Sequence, residues 1–368
     1  MKYKFLHIGV HNSLNKNAGD TLLFDLVRKT FEKFFFDVEW DLKQLWDPIS
    51  ENDIEAINKK YHGIILGGGG VLLKDQKGAD SSKSGWQWNI DVKQVDKIRI
   101  PLIVFAIGYN RFRNQEDFDE IFKHNITSVV SKSSFFGLRN SGSKKALKNY
   151  LSVELVKKLN RQFCPTTFAN QLIDSDLKIY KGKKHTIAFN PAFDREEMRF
   201  GLQITKILNR LSLILKDSKK LGFNTILVAH KDIDLKMEKF LIENNVDYTL
   251  KNLTNSSSNE ILQFYSSVSI AVGMRGHAQM IPFGIGTPIF SIVTHDKLSF
   301  FLEDIDKPEW GEELFSENLK NNLFKLLNKV KINRNKIQQE IIECQKKIWD
   351  ETSDNMEIIK SIITAKIY

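Results

Sequence analysis

Residues 266–297 read SSVSIAVGMRGHAQMIPFGIGTPIFSIVTHDK, and the order of residue types in this stretch decides the fold. The apolar run Val268 to Val272 predicts a strand that stops at Gly273. Arg275 and His277 come next, at the mouth of a helix, and Gly286-Thr287-Pro288 turns the chain into a second strand, Ile289 to Val293. A guanidinium and an imidazole two residues apart, between a strand's carboxyl end and a helix's amino end, are placed to hold an anion. That edge is where the crevice of a parallel α/β sheet opens.

Outward from this stretch the alternation continues in both directions. Upstream, apolar runs at 4–10, 38–40, 61–66, 101–107 and 135–139 predict strands. Helices are predicted from Thr21 to about Phe36, at 54–60, 86–95 and 118–125, and as one basic helix at 143–159; residues 127–130 read as a short strand or a continued helix. After a Lys-rich polar break at 174–184, strands are predicted at 185–190, 225–230 and 248–250, with helices at 197–220, 234–244 and 260–266. Strands apolar on both sides and separated by helices argue for parallel sheets covered on both faces. The expected architecture is therefore α/β: two Rossmann-like domains facing across a cleft, GT-B-like. Residues 1–176 form an N-terminal domain on the acceptor side and 185–316 a C-terminal domain on the donor side. Residues 317–368 form helices that pack back on both.

The bulk properties narrow the function classes. The chain has 368 residues, 42% hydrophobic and 27% charged, which is globular composition with room for two cores. Its longest apolar run, Ile100 to Tyr109, is far short of the ~20 residues that cross a bilayer. Two cysteines, Cys164 and Cys344, give neither a disulfide framework nor a zinc spacing, so a reducing cytoplasm is expected. The net charge of +9 favours anionic partners. No helix-turn-helix, zinc-finger or RNA-recognition signature accompanies it, so nucleic acid is not expected. The basic stretch at 143–159 reads as an ordinary solvated face or as a helix resting on an anionic membrane at its inner face.

Several further residues carry chemistry. Asn17-Ala18-Gly19-Asp20-Thr21 joins a strand to a helix; its free N–H groups can face an anion, and Asp20 reads as a site carboxylate or as the cap of a helix from Thr21. Gly67, Gly68, Gly69 and Gly70 clear every side chain from a strand's carboxyl edge, letting a ligand or another backbone approach. Trp86 and Trp88 read equally as stacking faces for a sugar or as core. Arg139 ends a strand before a helix-start signature, where a guanidinium grips a phosphate or carboxylate. His230 ends another strand, with Asp232 and Asp234 close behind.

Taken together, this set resembles the polysaccharide pyruvyl transferases. The resemblance rests on Gly19-Asp20, Gly67 to Gly70, Gly137-Leu138-Arg139-Asn140-Ser141, Cys164-Pro165-Thr166, His230 with Asp234, Gly273-Met274-Arg275-Gly276-His277, and Gly286-Thr287-Pro288 with Lys297, in order over residues 9–297. The chain departs from the family pattern where Gly276 replaces a leucine and Cys164 an aspartate. It departs again where Thr294-His295-Asp296-Lys297 replaces Tyr-Asp-x-Lys. The resemblance implies that phosphoenolpyruvate is a co-substrate, with no cofactor or metal, and that a sugar of a surface polysaccharide, or of its lipid-linked precursor, is the acceptor. It also implies Arg139, Arg275, Gly273, Gly276 and Lys297 on the donor, with His277 as acid, His230 as second candidate, and Asp20 as base on the acceptor hydroxyl. Gly19, the four glycines, Trp86 and Trp88 would line the acceptor side of the cleft. A nucleotide-sugar glycosyltransferase in the same cleft is the alternative.

Overall fold

The computed structural model describes residues 2–11, 17–75, 80–173 and 185–366. The first half builds six strands: β1 (Tyr3–Gly9), β2 (Val38–Gln44), β3 (Gly63–Leu72), β4 (Leu102–Tyr109), β5 (Phe135–Leu138) and β6 (Leu159–Arg161). They lie in the order β2-β1-β3-β4-β5-β6, every pair parallel. The second half builds β7 (His185–Asn190), β8 (Phe223–Ala229), β9 (Tyr248–Asn252), β10 (Ile270–Gly273), β11 (Ile289–Val293) and β12 (Gly311–Glu313). Their order is β12-β11-β10-β7-β8-β9, again all parallel. These are two Rossmann-like domains facing across a cleft. The expected boundary at 174–184 lies outside the described residues.

The central strands β3, β4 and β10 are buried along nearly their whole length, as strands covered by helices on both faces must be. The apolar faces of the helices Ala18–Phe34 and Ile204–Ser218 supply much of that cover, through residues such as Leu22, Leu23, Leu26, Leu208 and Leu211. One continuous core joins the underside of the first sheet to the whole second domain.

Of the two readings of residues 127–130 the helical one holds: they continue the helix Glu120–Lys132. Two other local expectations change. The helix expected at 86–95 is only Val92–Asp96, started by an Asp91 capping box. The basic stretch is two short helices, Ser141–Leu147 and Val153–Lys157, because Ser152 caps a new start with its side chain on Leu155 N. The continuous stripe needed to lie along a membrane is therefore interrupted. No helix among the described residues is long and apolar enough to cross one.

The last helical run, Leu319–Ala365, is broken once, at Asn333, and touches both domains. Its Glu351 pairs with Arg161, and Asn355 Nδ2 donates to Arg161 O at 2.7 Å. On the other domain, Gln345 Nε2 donates to Phe283 O at 2.5 Å and Gln338 Nε2 to Gly286 O at 3.2 Å.

Candidate active site in the interdomain cleft

In each sheet the strand order reverses once, between β1 and β3 in the first and between β7 and β10 in the second. Loops leaving the strands at such a point diverge and open a crevice. The two crevices face one another and form a cavity of about 760 Å3. Asp20, Gly68, Gly69, Gly70, Asn110 and Arg139 line it from the first domain. Asp194, His230, Arg275, Gly276, His277 and Lys297 line it from the second.

The halves are clasped around this space. Ala18 N donates to His230 O at 3.1 Å. The segment after β4 reaches across: Asn110 Oδ1 accepts from Lys297 Nζ at 2.9 Å, and Arg113 pairs with Asp296 at 2.5 Å and Glu313 at 2.7 Å. Between them the Phe112 ring packs on His295, with centroids 4.3 Å apart, and lies 5.0 Å from the guanidinium carbons of both Arg195 and Arg199. Arg195 in turn holds Asp75 of the first domain.

Arg275 is engaged more fully than its sequence context suggests. Its Nε donates to Asp234 Oδ2 at 3.0 Å and its Nη2 to Asp234 Oδ1 at 2.5 Å, while Nη1 lies 2.5 Å from Asp194 Oδ1. Asp234 is fully buried and also accepts the N–H groups of His230 and Lys231, at 3.1 Å each. Burial disfavours charge on Arg275 and Asp194, but the pairing outweighs it: Arg275 is raised, and Asp194 lies far below the carboxylate range under Arg275 and Arg199. Most donors of Arg275, expected to grip the donor, are spent on these two carboxylates, and it stands in the cavity wall.

Arg139 is the opposite case. It is 5% exposed, and among the described residues neither Nε nor Nη2 has a hydrogen-bond partner. Its guanidinium lies over two glycines: a Cβ on Gly108 would stand 2.1 Å from Nε, and one on Gly70 3.1 Å from Nη2. Burial lowers its pKa, with partial relief from Cys164 and Asp20. Lys297 is close enough to feel it. Burial first, then Arg199 and Arg139, push that ammonium well below its ordinary value. A buried, unpaired guanidinium and a crowded ammonium facing one cavity make a site for an anion.

His277 sits against the start of the helix Ala18–Phe34. A Cβ on Gly19 would fall 2.3 Å from its Nδ1, so Gly19 is what lets the ring dock. Nδ1 is 4.0 Å from Asp20 Oδ1, and Nε2 is 3.8 Å from Cys164 Sγ. Burial, Arg139, His230 and Lys297 together hold the imidazole well below its ordinary pKa, so the resting ring is neutral rather than the expected imidazolium. Asp20 is raised by burial, against the pull of Lys231 and Asn17. It is not the helix cap: Asn17 is, accepting from Gly19 N and donating to Asp20 Oδ2 at 2.8 Å. His230 is fully buried and bonded through Nε2 to Tyr265 Oη at 2.7 Å, and burial brings its pKa to about 4.

A family model, "Polysaccharide pyruvyl transferase", matches residues 17–296, a span that holds nearly all of these residues. The chain belongs to the polysaccharide pyruvyl transferase family. It is accordingly a transferase, and the sequence finds no match among curated proteins. Among solved structures, the sucrose-phosphate synthase of Thermosynechococcus elongatus aligns over 99% of this chain and 100% of its own, at 12% identity and a TM-score of 0.59. The UDP-GlcNAc 2-epimerase of Neisseria meningitidis bound to UDP-GlcNAc aligns over 97% and 100%, at 11% identity and a TM-score of 0.55. Likenesses this remote show the shared two-domain fold.

Other site expectations for this family member are redistributed. Trp86 and Trp88 are fully buried, packed edge to face at 5.9 Å, with Trp86 Nε1 bonded to Asn125 Oδ1 at 2.7 Å. They are core, and neither presents a stacking face. Gly273 is a packing glycine: a Cβ would come within 2.7 Å of Ala278 Cβ. Gly67 lies behind the cavity wall, its carbonyl bonded by His7 Nε2 at 2.9 Å. Gly68 and Gly69 do line the cavity, at φ of 83° and 96° that other residues rarely adopt. Sequence reasoning missed Asn110, Asp194 and Arg199. The signal for Asp194 was its place four residues past β7. It becomes meaningful only once β7 is known to lie beside β10.

Proposed function

We propose that this protein transfers the pyruvyl group of phosphoenolpyruvate to two hydroxyls of a saccharide, forming a ketal and releasing phosphate. The observation that carries this reading is Arg139, a buried guanidinium that has no partner at Nε or Nη2 among the described residues, facing a cavity that also holds Lys297. The donor's phosphate and carboxylate match that pair. The acceptor is a sugar of a surface polysaccharide or of its lipid-linked precursor, at the cytoplasmic side of the membrane.

The chemistry needs one proton on the donor's methylene carbon, attack by one hydroxyl at C2, loss of phosphate, and attack by the second hydroxyl. One hydroxyl proton replaces the one delivered to the methylene, and the other leaves with phosphate. His277, beside Asp20, is the group to handle these protons. It rests neutral because burial first, and then the neighbouring cations, disfavour its charged form, and a multiply charged anion between Arg139 and Lys297 offsets those cations. Donor binding then raises its pKa, so the acid forms only when there is something to protonate. Asp20, across from His277, receives the attacking hydroxyl's proton.

Calorimetric titration with phosphoenolpyruvate, and separately with UDP-GlcNAc, tests the donor. Saturable uptake of phosphoenolpyruvate accompanied by proton uptake is expected. Binding of the nucleotide sugar alone would replace this reading with glycosyl transfer. A saccharide that gains one pyruvyl unit with loss of water, by mass, identifies the reaction.

A further inference from the structure

Four glycines line the cavity, and three of them have structural reasons to be glycine. Gly68 and Gly69 have positive φ, and a side chain on Gly70 would strike Asn110 and Arg139. Gly276 has neither constraint. Its backbone is not left-handed, and among the described residues a Cβ there would meet nothing nearer than Lys297 Cε at 4.0 Å. It opens the helix Gly276–Gly284, where any ordinary residue is accepted. Neither fold nor packing explains the missing side chain, so the space itself is the remaining physical reason.

That space adjoins His277 along the chain and faces the Lys297 side chain, whose Cε is the first atom a Cβ would meet. The donor's charges belong at Arg139 and the Lys297 ammonium. A cavity of about 760 Å3 is sized for a drug-like ligand, far more than a three-carbon phosphate fills. We propose that Gly276 is a specificity-determining position: its missing side chain leaves a hollow that seats a ring substituent of the acceptor saccharide. The residue thereby sets how bulky an acceptor reaches His277. This rests on the pyruvyl-transfer reading above.

Full-length variants test it. Gly276→Ala and Gly276→Leu should unfold at or above the wild-type temperature, since glycine is the costlier residue in a helix. Both should bind phosphoenolpyruvate within about threefold of wild type, a difference of about 0.65 kcal/mol or less. Host cells carrying Gly276→Leu should lose about tenfold or more of the pyruvate ketal in their polysaccharide, and those carrying Gly276→Ala a smaller share, as for methylenes forced into a fitted pocket. Wild-type ketal content with Gly276→Leu overturns the proposal. So does a matching loss of phosphoenolpyruvate affinity, which assigns the hollow to the donor.

Gly276→Cys reports on the hollow independently of the reaction, because Cys164 and Cys344 are both buried. The introduced thiol should react with methyl methanethiosulfonate in the folded protein. A thiol inert until denaturant is added shows that there is no hollow. Polysaccharide whose ketal content does not depend on this gene refutes the pyruvyl reading and takes the acceptor assignment with it, while the labelling still decides whether the hollow exists.

Discussion

Replacing Arg139 by methionine should move stability and binding in opposite directions. The guanidinium is 5% exposed and has no partner at Nε or Nη2 among the described residues. An unsatisfied buried polar group costs about 1–3 kcal/mol, and exchanging buried charge for a well-packed apolar side chain commonly stabilises by about 1–4 kcal/mol. Arg139→Met should therefore raise unfolding free energy by about 1–3 kcal/mol, read in urea at neutral pH. Removing one partner of a buried charge pair costs about 2–5 kcal/mol of binding, so phosphoenolpyruvate affinity should fall by about 30- to 4,000-fold. Calorimetry reads the second number on the same sample. A variant that is less stable yet binds phosphoenolpyruvate as wild type does would refute the reasoning, because Arg139 would then be a purely structural group.

Three further outcomes rest on the same geometry. Gly108→Ala should reproduce the binding loss without touching a charge, because the new Cβ would stand 2.1 Å from Arg139 Nε and displace it; unaltered phosphoenolpyruvate affinity would count against Arg139. Asp234→Ala should cost about 3–5 kcal/mol of stability in urea unfolding, since it strips Arg275 of its bidentate partner in a buried network. Acid should destabilise the fold in a defined window. His230 and His7 are lowered by burial from 6.5 to about 4 and about 3, so below about pH 6.5 the unfolded chain binds protons that the native one does not. Their contribution is full above that value and falls by a few kcal/mol as pH drops towards 4. Urea midpoints at about pH 7.5, 6 and 5 read the slope, and His230→Gln should flatten it.

Much of this arrangement was legible in the sequence because strand ends announce themselves. An apolar run that stops short places its next few residues at the sheet's carboxyl edge, and Arg139, His230, Arg275, His277 and Lys297 all arrive in the cavity for that reason. Pairing across distance was beyond the reach of sequence. Arg275 meets Asp234 forty-one residues away only because β10 and β8 flank β7, so a residue that reads as a free cation is a saturated one. Trp86 and Trp88 were ambiguous for a related reason. A loop that folds under the helix Glu120–Lys132 gives the Trp86 indole a partner in Asn125, and nothing local to it reveals that helix. The broken basic helix was readable in principle, since Ser152 is a cap residue, but lysine spacing concealed it.

The final helical run bears on how the cleft can move. It is bonded to Arg161 in one domain and to Phe283 and Gly286 in the other, so it spans the gap as a brace. A brace fixed at both ends resists the scissor-like spreading that would pull the domains straight apart. Widening the cleft therefore requires the helix to give up its bonds to one domain, together with the Asn110–Lys297 and Arg113–Asp296 contacts of the clasp.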